Sequence, residues 1–224
     1  MAEETNPDPQ FIAQQLRKPS GDFAKTIGEK MNQINSFLYD FVLDSMNLKE
    51  NENILEIGFG NGKFFDRLFS RANNLHVSGI DFSEEMVKEA EQNDQSLISS
   101  GKLKLFLGSS DNLPFPDNFF DKVFCSMVIY FWEEPSKHLR EIKRVLKPEG
   151  KFYTGIRAKD GMLEFPFTKH CFILYKENEW KSILQQNGFE LTSLNKKLDP
   201  LTEFNGQAIQ LESICFTAKR ETES

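Results

Sequence analysis

The chain has 224 residues, of which 39% are hydrophobic and 27% charged, and its formal net charge is −7. This length suits one domain with a substantial core and is short for two ordinary enzyme domains. The Lys and Arg residues are dispersed, which argues against nucleic acid as a substrate. No apolar run approaches the roughly 18 residues that a membrane span needs, so no span is expected.

The two ends of the chain are polar. Residues 1–9 hold two prolines and three acids, without the basic and apolar regions of a signal peptide, so we expect a cytoplasmic protein. We predict that 1–9 is a disordered tail, that 219–224 is a frayed tail, and that 10–218 is a single domain.

The first predicted elements are helices. Apolar residues recur at three- and four-residue steps up to Asp44, and a segment with proline and glycine at 17–21 interrupts them. This pattern predicts a short helix, a loop and a longer amphipathic helix.

Strands and helices then alternate along the chain. Helices are predicted after the first strand, after Ser83, from about Pro135 and around Trp180, while 157–175 shows poor periodicity. Alternation predicts an α/β, Rossmann-like fold with a doubly wound, seven-stranded, mostly parallel sheet and an antiparallel edge strand. The predicted strands are 53–57, 76–80, 103–107, 121–126, 151–156, 190–198 and 212–218.

Three glycines at alternate positions, Gly58, Gly60 and Gly62, follow the first strand. Glycine adopts positive φ and lets another molecule lie against the backbone, so a ligand fits at this turn. About 20 residues later Asp81 ends the second strand, where a carboxylate can hold ribose hydroxyls.

Two ligand classes use such a turn, and Glu56 and Lys63 help to separate them. A dinucleotide-binding turn has a third glycine where Lys63 stands, and Glu56 would add negative charge near a phosphate. Glu56 suits a ligand with an ammonium or sulfonium group instead. A nicotinamide-dependent dehydrogenase stays an alternative.

Ligands in doubly wound sheets bind outside the carboxyl ends of the strands. Gly58 to Gly62, Asp81, Ser109 with Ser110, and Cys125 with Ser126 all fall at such ends. We therefore expect these residues to form one site.

Four motifs follow one another along the chain: E-x-G-x-G-x-G at 56–62, GIDFS at 79–83, LPFPDNFFDKV at 113–123 and RVLKPEGK at 144–151. In this order they resemble the motifs of class I S-adenosylmethionine-dependent methyltransferases of the methyltransferase type 11 family. The resemblance implies S-adenosylmethionine as cofactor, S-adenosylhomocysteine as product, no metal and a small-molecule acceptor. It implies a cofactor-binding core at 53–156, a helical lid at 10–45, and a substrate-side insertion with closing strands at 157–218.

The resemblance also implies roles for individual residues. Glu56 and the three glycines would hold the methionyl part of the cofactor, Asp81 its ribose, and Phe82 the adenine face. The alternatives are a tight turn with a capping acid, a helix-capping carboxylate and a core phenylalanine. Relatives often carry Asp-Ala where this chain has Ser109 and Ser110, so an uncharged hydroxyl replaces a carboxylate.

Methyl transfer needs positioning more than a general base, and a base is optional. If the acceptor must lose a proton, the catalytic candidates are Tyr130, Tyr39 and His170. His76 and His138 are expected to be structural. Residues 130–132 are aromatic and either line an acceptor pocket or belong to the core.

The acceptor pocket is expected from 10–45 and 157–180. The cysteines Cys125, Cys171 and Cys215 show no C-x-x-C spacing and are interpreted as reduced, mostly buried thiols, with metal or nucleophile roles as the alternative. A domain that binds the cofactor or a partner without turnover is the remaining alternative function.

Overall fold

The structure, a computed structural model, describes residues 8–204 and 207–221. The helices are α1 (Pro9–Arg17), α2 (Ala24–Met46), α3 (Phe65–Phe69), α4 (Glu84–Asn93), α5 (Gln95–Ser99), α6 (Pro135–Val145), α7 (Lys159–Met162) and α8 (Glu177–Gln186). The strands are β1 (Asn53–Ile57), β2 (His76–Asp81), β3 (Leu103–Leu107), β4 (Phe120–Ser126), β5 (Leu146–Arg157), β6 (Phe189–Leu198), β7 (Thr202–Phe204), β8 (Gln207–Ile209) and β9 (Glu212–Arg220).

Seven strands form one sheet in the order β3-β2-β1-β4-β5-β9-β6. Strands β1 to β5 run parallel, whereas β9 is antiparallel to both β5 and β6. The predicted fold is confirmed, and the antiparallel strand of the edge region lies one position inside β6. Strands β7 and β8 form a separate antiparallel pair in the connection before β9.

The sheet is covered on both faces because its central strands are apolar on both sides. In β4, Val123 and Cys125 pack into one core and Phe124 packs into the other, as expected when successive side chains point to opposite faces. Helices α6 and α8 cover the first face, and α2 and α4 cover the second. This layering leaves the carboxyl ends of the parallel strands free to form a crevice.

The ends differ in part from the expectation. Residues 1–7 and 222–224 of the predicted tails lie outside the described residues, and α1 already begins at Pro9. Fraying from Lys219 is wrong, because Lys219 pairs with Lys151 and Arg220 pairs with Phe189 in the sheet. Within 8–204 and 207–221, no helix combines the length and apolar character that crossing a membrane requires.

Candidate functional site

A cavity of about 340 Å³ opens at the carboxyl ends of β1, β2 and β4. Its walls come from the glycine turn after β1, the loop after β3, helix α2 and the first turn of α6. Of the predicted site residues, nine line it: Tyr39, Glu56, Gly58, Gly60, Asp81, Phe82, Ser109, Ser110 and Ser126.

The glycine turn exposes its backbone to this cavity. Gly58 and Gly60 have φ of 73° and 61°, a region that favours glycine. A side chain at Gly58 would collide with Val128, whereas a Cβ at Gly60 would meet open space. The space beside Gly60 is therefore available to a ligand.

At Gly62, close packing against α4 requires a glycine. Its φ is 77°, and a Cβ there would collide with the carboxylate of Asp94 and with Ala90 of α4. It does not line the cavity. Its expected contact with a ligand is thus replaced by close packing of the turn against α4.

Asn61, which was not among the predicted site residues, links the turn to its neighbours by hydrogen bonds. Its Oδ1 accepts from Asn32 Nδ2 of α2 at 3.1 Å, and its Nδ2 donates to Glu89 Oε1 of α4 at 3.1 Å. Its carbonyl accepts from Asn93 Nδ2 at 3.1 Å. These bonds join the turn to both flanking helices, which holds its unusual backbone in place.

Asp81 lies on the cavity wall with both carboxylate oxygens hydrogen-bonded. Oδ2 accepts from the Gly60 N–H and Oδ1 from the Ser83 N–H, each at 2.9 Å. Burial raises the pKa of Asp81 to about 6, although the backbone hydrogen bonds lower it. Because a carboxylate offers about four acceptor positions, it retains capacity for ligand hydroxyls.

Glu56 and Tyr39 form a buried pair beside Asp81. The Tyr39 hydroxyl donates to Glu56 Oε2 at 3.0 Å. Burial, above all, raises the pKa of Glu56 to about 8; the Tyr39 hydrogen bond lowers it and the Asp81 charge raises it. Burial and Glu56 also raise the pKa of Tyr39 well above 10. Tyr39 therefore acts as a hydrogen-bond donor here, a poor fit to the predicted base.

Glu56 and Asp81 have no cationic partner among the residues that the structure describes. Within the described parts of the chain, no ion pair involves Glu56 or Asp81. Buried carboxylates are ordinarily paired or neutralised. A cationic ligand would supply the missing charge.

The loop after β3 and the start of α6 form the other end of the cavity. Ser110 is 5% exposed, and its Oγ lies 2.8 Å from Nδ1 of His138. The His138 ring stacks on Trp132, with centroids 4.5 Å apart and planes 5° apart. His138, expected to be structural, thus lines the cavity. Its position in the first turn of a helix that follows β4 is the sequence feature that could have predicted this location.

Cys125, Tyr130 and His170 do not reach the cavity. Cys125 is fully buried, and burial raises the pKa of its thiol. The Tyr130 hydroxyl is buried and accepts from the Arg157 N–H at 2.8 Å, so it is committed to the fold. His170 follows a 3₁₀ turn at Pro166–Lys169 that packs against α1. Tyr130 and His170 thus lie away from the cavity, and their role as bases stays a prediction.

None of the residues 157–180 lines the cavity either. The segment packs behind the wall: Phe172 contacts Tyr130 and Phe131, and the Ile173 N–H donates to the Tyr130 carbonyl at 2.8 Å. It therefore supports the wall and does not form its surface.

The surface after β4 comes from the residues that follow Ser126. Met127 has φ of 63°, a strained value for a residue with a Cβ, and lines the cavity with Val128. Ser126 Oγ is buried there without a hydrogen-bond partner. Within 8–204 and 207–221, no cluster of three or more His, Cys, Asp or Glu is arranged to hold a metal ion.

The predicted lid loop borders the cavity through Arg17 and Pro19. The Ser83 hydroxyl donates to the Pro19 carbonyl at 2.7 Å, and Arg17 pairs with Glu133 at 2.9 Å. These contacts join the loop to the start of α4 and to the connection before α6. Its role as a lid stays a prediction.

Comparisons with known proteins agree with this geometry. A family model described as a methyltransferase domain matches residues 55–154. The Bacillus subtilis protein YrhH is named as a methyltransferase. It is 31% identical to this chain over 64% of this chain and 78% of its own length. The ubiquinone/menaquinone biosynthesis C-methyltransferase UbiE of Rickettsia bellii is 35% identical over 50% of this chain. The chain spans less than half of that UbiE, 46% of its length.

Solved structures show the same fold. A chain from the complex of the Haloferax volcanii Trm112 methyltransferase activator with a methyltransferase matches at a TM-score of 0.75 and 18% identity, over 88% of this chain and 94% of that one. An S-adenosylmethionine-dependent methyltransferase from Aquifex aeolicus matches at a TM-score of 0.66 and 23% identity, over 95% of this chain and 98% of that one.

Proposed function

The chain belongs to the class I S-adenosylmethionine-dependent methyltransferases, and on that premise we propose that it methylates a small molecule at the cavity described above. The observation that carries this proposal is the pair of buried carboxylates, Glu56 and Asp81, which face the cavity without a cation. S-adenosylmethionine carries a sulfonium, an ammonium and a ribose, which match a cation-seeking site beside a carboxylate that can accept hydroxyls.

The charge of the whole lining supports the same cofactor. The residues that line the cavity include two cationic side chains, Arg17 and Lys137, and five acidic ones. An acidic, partly dehydrated site favours a cation and disfavours phosphates. The acidic residues are Glu56, Asp81, Asp111, Glu133 and Glu134.

Residue roles follow from these contacts. Asp81 would accept from the ribose hydroxyls while it holds the Gly60 N–H, so one side chain would orient both the turn and the ligand. Gly60 would leave room for the amino-acid portion, and Glu56 would face the positive groups directly or through water. Phe82 would lie against the adenine.

Bound S-adenosylmethionine supplies a methyl group that leaves its sulfonium in line with the attacking atom of the acceptor. The chain's contribution is to position the reactants and to exclude water. Met31, Met127 and Val128 give the cavity apolar surface, and Asn35 adds an amide. These residues support a small, largely apolar acceptor with one polar group.

The remaining alternatives have less support. A nicotinamide dinucleotide would bring two phosphates to a cavity rich in carboxylates, and Lys63 occupies the place of the third glycine of the dinucleotide-binding motif. A domain that binds the cofactor without turnover would have the same cofactor-binding features. Only an activity assay can distinguish such a domain from an enzyme. A cytoplasmic location belongs to this proposal as well.

Calorimetric titration with S-adenosylmethionine, S-adenosylhomocysteine and NADH is the test. We expect both adenosyl compounds to bind and NADH not to bind. Release of S-adenosylhomocysteine in a panel of hydroxyl, amine, thiol and carbon acceptors would then identify the acceptor class. Binding of NADH alone would overturn the proposal, and binding of the adenosyl compounds without turnover on any acceptor would favour the non-catalytic alternative.

A further inference from the structure

Asn35 of α2 lines the cavity, and its side-chain amide has no hydrogen-bond partner among the residues that the structure describes. The direction of this amide follows from two neighbours on the same helix. Asn32, three positions earlier, donates to Asn61 of the glycine turn, and Tyr39, four positions later, donates to Glu56. Side chains three and four positions apart lie on one face of a helix. The amide of Asn35 therefore points at the cavity as well.

Asn35 lies over the carboxyl end of β4. Helix α2 is bonded to the glycine turn after β1 and, through the Ile34 carbonyl, to Arg157 Nη2 at the end of β5, at 2.9 Å. Strand β4 lies between β1 and β5 in the sheet. Met127 and Val128, which follow β4, line the same cavity. The amide thus adjoins the apolar part of the wall.

Two arginines hold this turn of α2 from two sides. Arg157 reaches the carbonyl of Ile34, and Arg67 Nη1 of α3 donates to Ser36 Oγ at 2.8 Å. Arg157 is 1% exposed, and a buried charge is costly unless it is paired and hydrogen-bonded. The backbone on both sides of Asn35 is thereby fixed, as the precise placement of a recognition residue requires.

The charged side chains of the lining lie in other parts of the cavity. Its two cations are both paired, Arg17 with Glu133 and Lys137 with Glu134. The remaining acids lie at the glycine turn and in the loop after β3. A charged group beside Asn35 would therefore lose water without gaining a counter-ion. An uncharged polar group can use both the donor and the acceptor atoms of the amide.

We propose that Asn35 binds the methyl acceptor and selects molecules that carry an uncharged polar group, such as an amide or a hydroxyl, on an apolar frame. Arg157 holds the helical turn that presents Asn35. This inference rests on the proposed function and deepens it. It names the acceptor class and adds a specificity-determining residue, Asn35, and a positioning residue, Arg157.

The test uses three probes of similar size and shape: phenylacetamide, phenylacetate and 2-phenylethylammonium, which are uncharged, anionic and cationic. Each probe is titrated at pH 7.5 into the wild-type chain that has first been saturated with S-adenosylhomocysteine, and binding is followed by NMR. Phenylacetamide should bind more tightly than either ion by about tenfold or more, because only the ions lose hydration without a counter-charge.

Asn35→Ala removes the partner of the polar group. The affinity for phenylacetamide should fall by about fivefold, while the affinity for S-adenosylhomocysteine should stay unchanged. Gln33→Ala is the matched control, because Gln33 is an exposed residue of the same helix and does not line the cavity. This variant should bind all three probes like the wild-type chain.

Asn35→Asp keeps the shape of the side chain and replaces the uncharged amide with a carboxyl group. Its preference should turn to 2-phenylethylammonium, which should bind about tenfold more tightly than it binds to the wild-type chain. A merely structural role of Asn35 would not reverse the order of the probes.

Arg157→Lys tests the positioning role. The compact ammonium lacks the fork of the guanidinium, so it should keep the pair with Asp199 and lose the bond to the Ile34 carbonyl. The affinity for phenylacetamide should fall by about threefold in the wild-type background and stay unchanged in the Asn35→Ala background. An equal fall in both backgrounds would overturn the positioning role of Arg157.

Three results would overturn the inference and leave the proposed function intact. The first is binding of a charged probe as tightly as phenylacetamide, or binding of none of the three, by the saturated wild-type chain. The second is an unchanged affinity for phenylacetamide in Asn35→Ala, and the third is an unchanged order of the probes in Asn35→Asp. Failure of the wild-type chain to bind S-adenosylhomocysteine would overturn the proposed function, and this inference with it.

Discussion

The two ends of the cavity differ in the kind of contact that they offer to a ligand. At the glycine turn, Glu56 and Asp81 are buried carboxyl groups that have no cationic partner among the residues that the structure describes. At the loop after β3, Ser110, His138 and Trp132 are joined by one hydrogen bond and one ring stack. We expect charge at the first end to supply most of the affinity for an adenosyl ligand. Variants at the first end should therefore change affinity for all adenosyl ligands alike.

The largest effect is expected from Asp81→Asn. The amide cannot accept at both positions, so the Gly60 or Ser83 N–H and the ribose hydroxyls lose charge-assisted bonds worth about 1.5–3 kcal/mol each. Affinity for S-adenosylhomocysteine should fall by about 100-fold or more in calorimetry.

Asp44→Asn, an exposed carboxylate of α2 paired with Arg71, should bind like the wild-type chain and serves as the control. A loss below about fivefold in Asp81→Asn would show that the charged end does not dominate affinity.

Gly60→Ala should have an intermediate effect on binding. Its φ of 61° strains any residue with a Cβ by about 1–2 kcal/mol, and the added methyl enters the space beside the turn. We expect about tenfold weaker binding together with a lower melting temperature.

Gly101→Ala isolates the strain. Gly101 has φ of 74°, also has open space at its Cβ position and does not line the cavity. It should lower the melting temperature by a similar amount without changing binding. Equal binding losses in both variants would mean that Gly60 affects only stability.

The third effect concerns the stability of the ligand-free protein and not binding. The pKa of Glu56 is raised from 4.5 to about 8, so the folded state holds a proton that the unfolded state releases. The stability from this group is complete below pH 4.5 and is lost as pH rises toward 8. A shift of this size corresponds to a loss of about 3 kcal/mol between pH 5 and 8, which should lower the melting temperature by about 6–12 °C.

Glu56→Gln should flatten this pH dependence, whereas Glu190→Gln, an exposed carboxylate of β6, should retain it. A wild-type melting temperature that rises over the same range would mean that Glu56 is already ionised in the free protein.

The sequence predicted the charged end better than the neutral one for a physical reason. The turn of Gly58 and Gly60 and the acid Asp81 are local signals, since positive φ and a strand end each depend on adjacent residues. The contact of Ser110 with His138 joins residues 28 positions apart, and no local pattern encodes it.

The misplaced residues have the same origin. Tyr130 lies four residues after the end of β4 and was expected at the cavity, but the 3₁₀ turn Ile129–Phe131 directs it inward to the backbone of Arg157. The segment 157–175 has poor periodicity, and its position behind the wall depends on contacts with Phe131 and α1. Tertiary packing decides such segments, and sequence periodicity does not record it.

The central claim is that a buried carboxyl group at Glu56 ionises to receive a cation. The most direct test is calorimetric titration of S-adenosylhomocysteine at pH 7 in buffers of different ionisation enthalpy, which counts the protons released on binding. With a pKa of about 8 in the free protein, close to one proton should be released by the wild-type chain and almost none by Glu56→Gln. Binding that releases no proton in the wild-type chain, or the same number in both, would contradict the account.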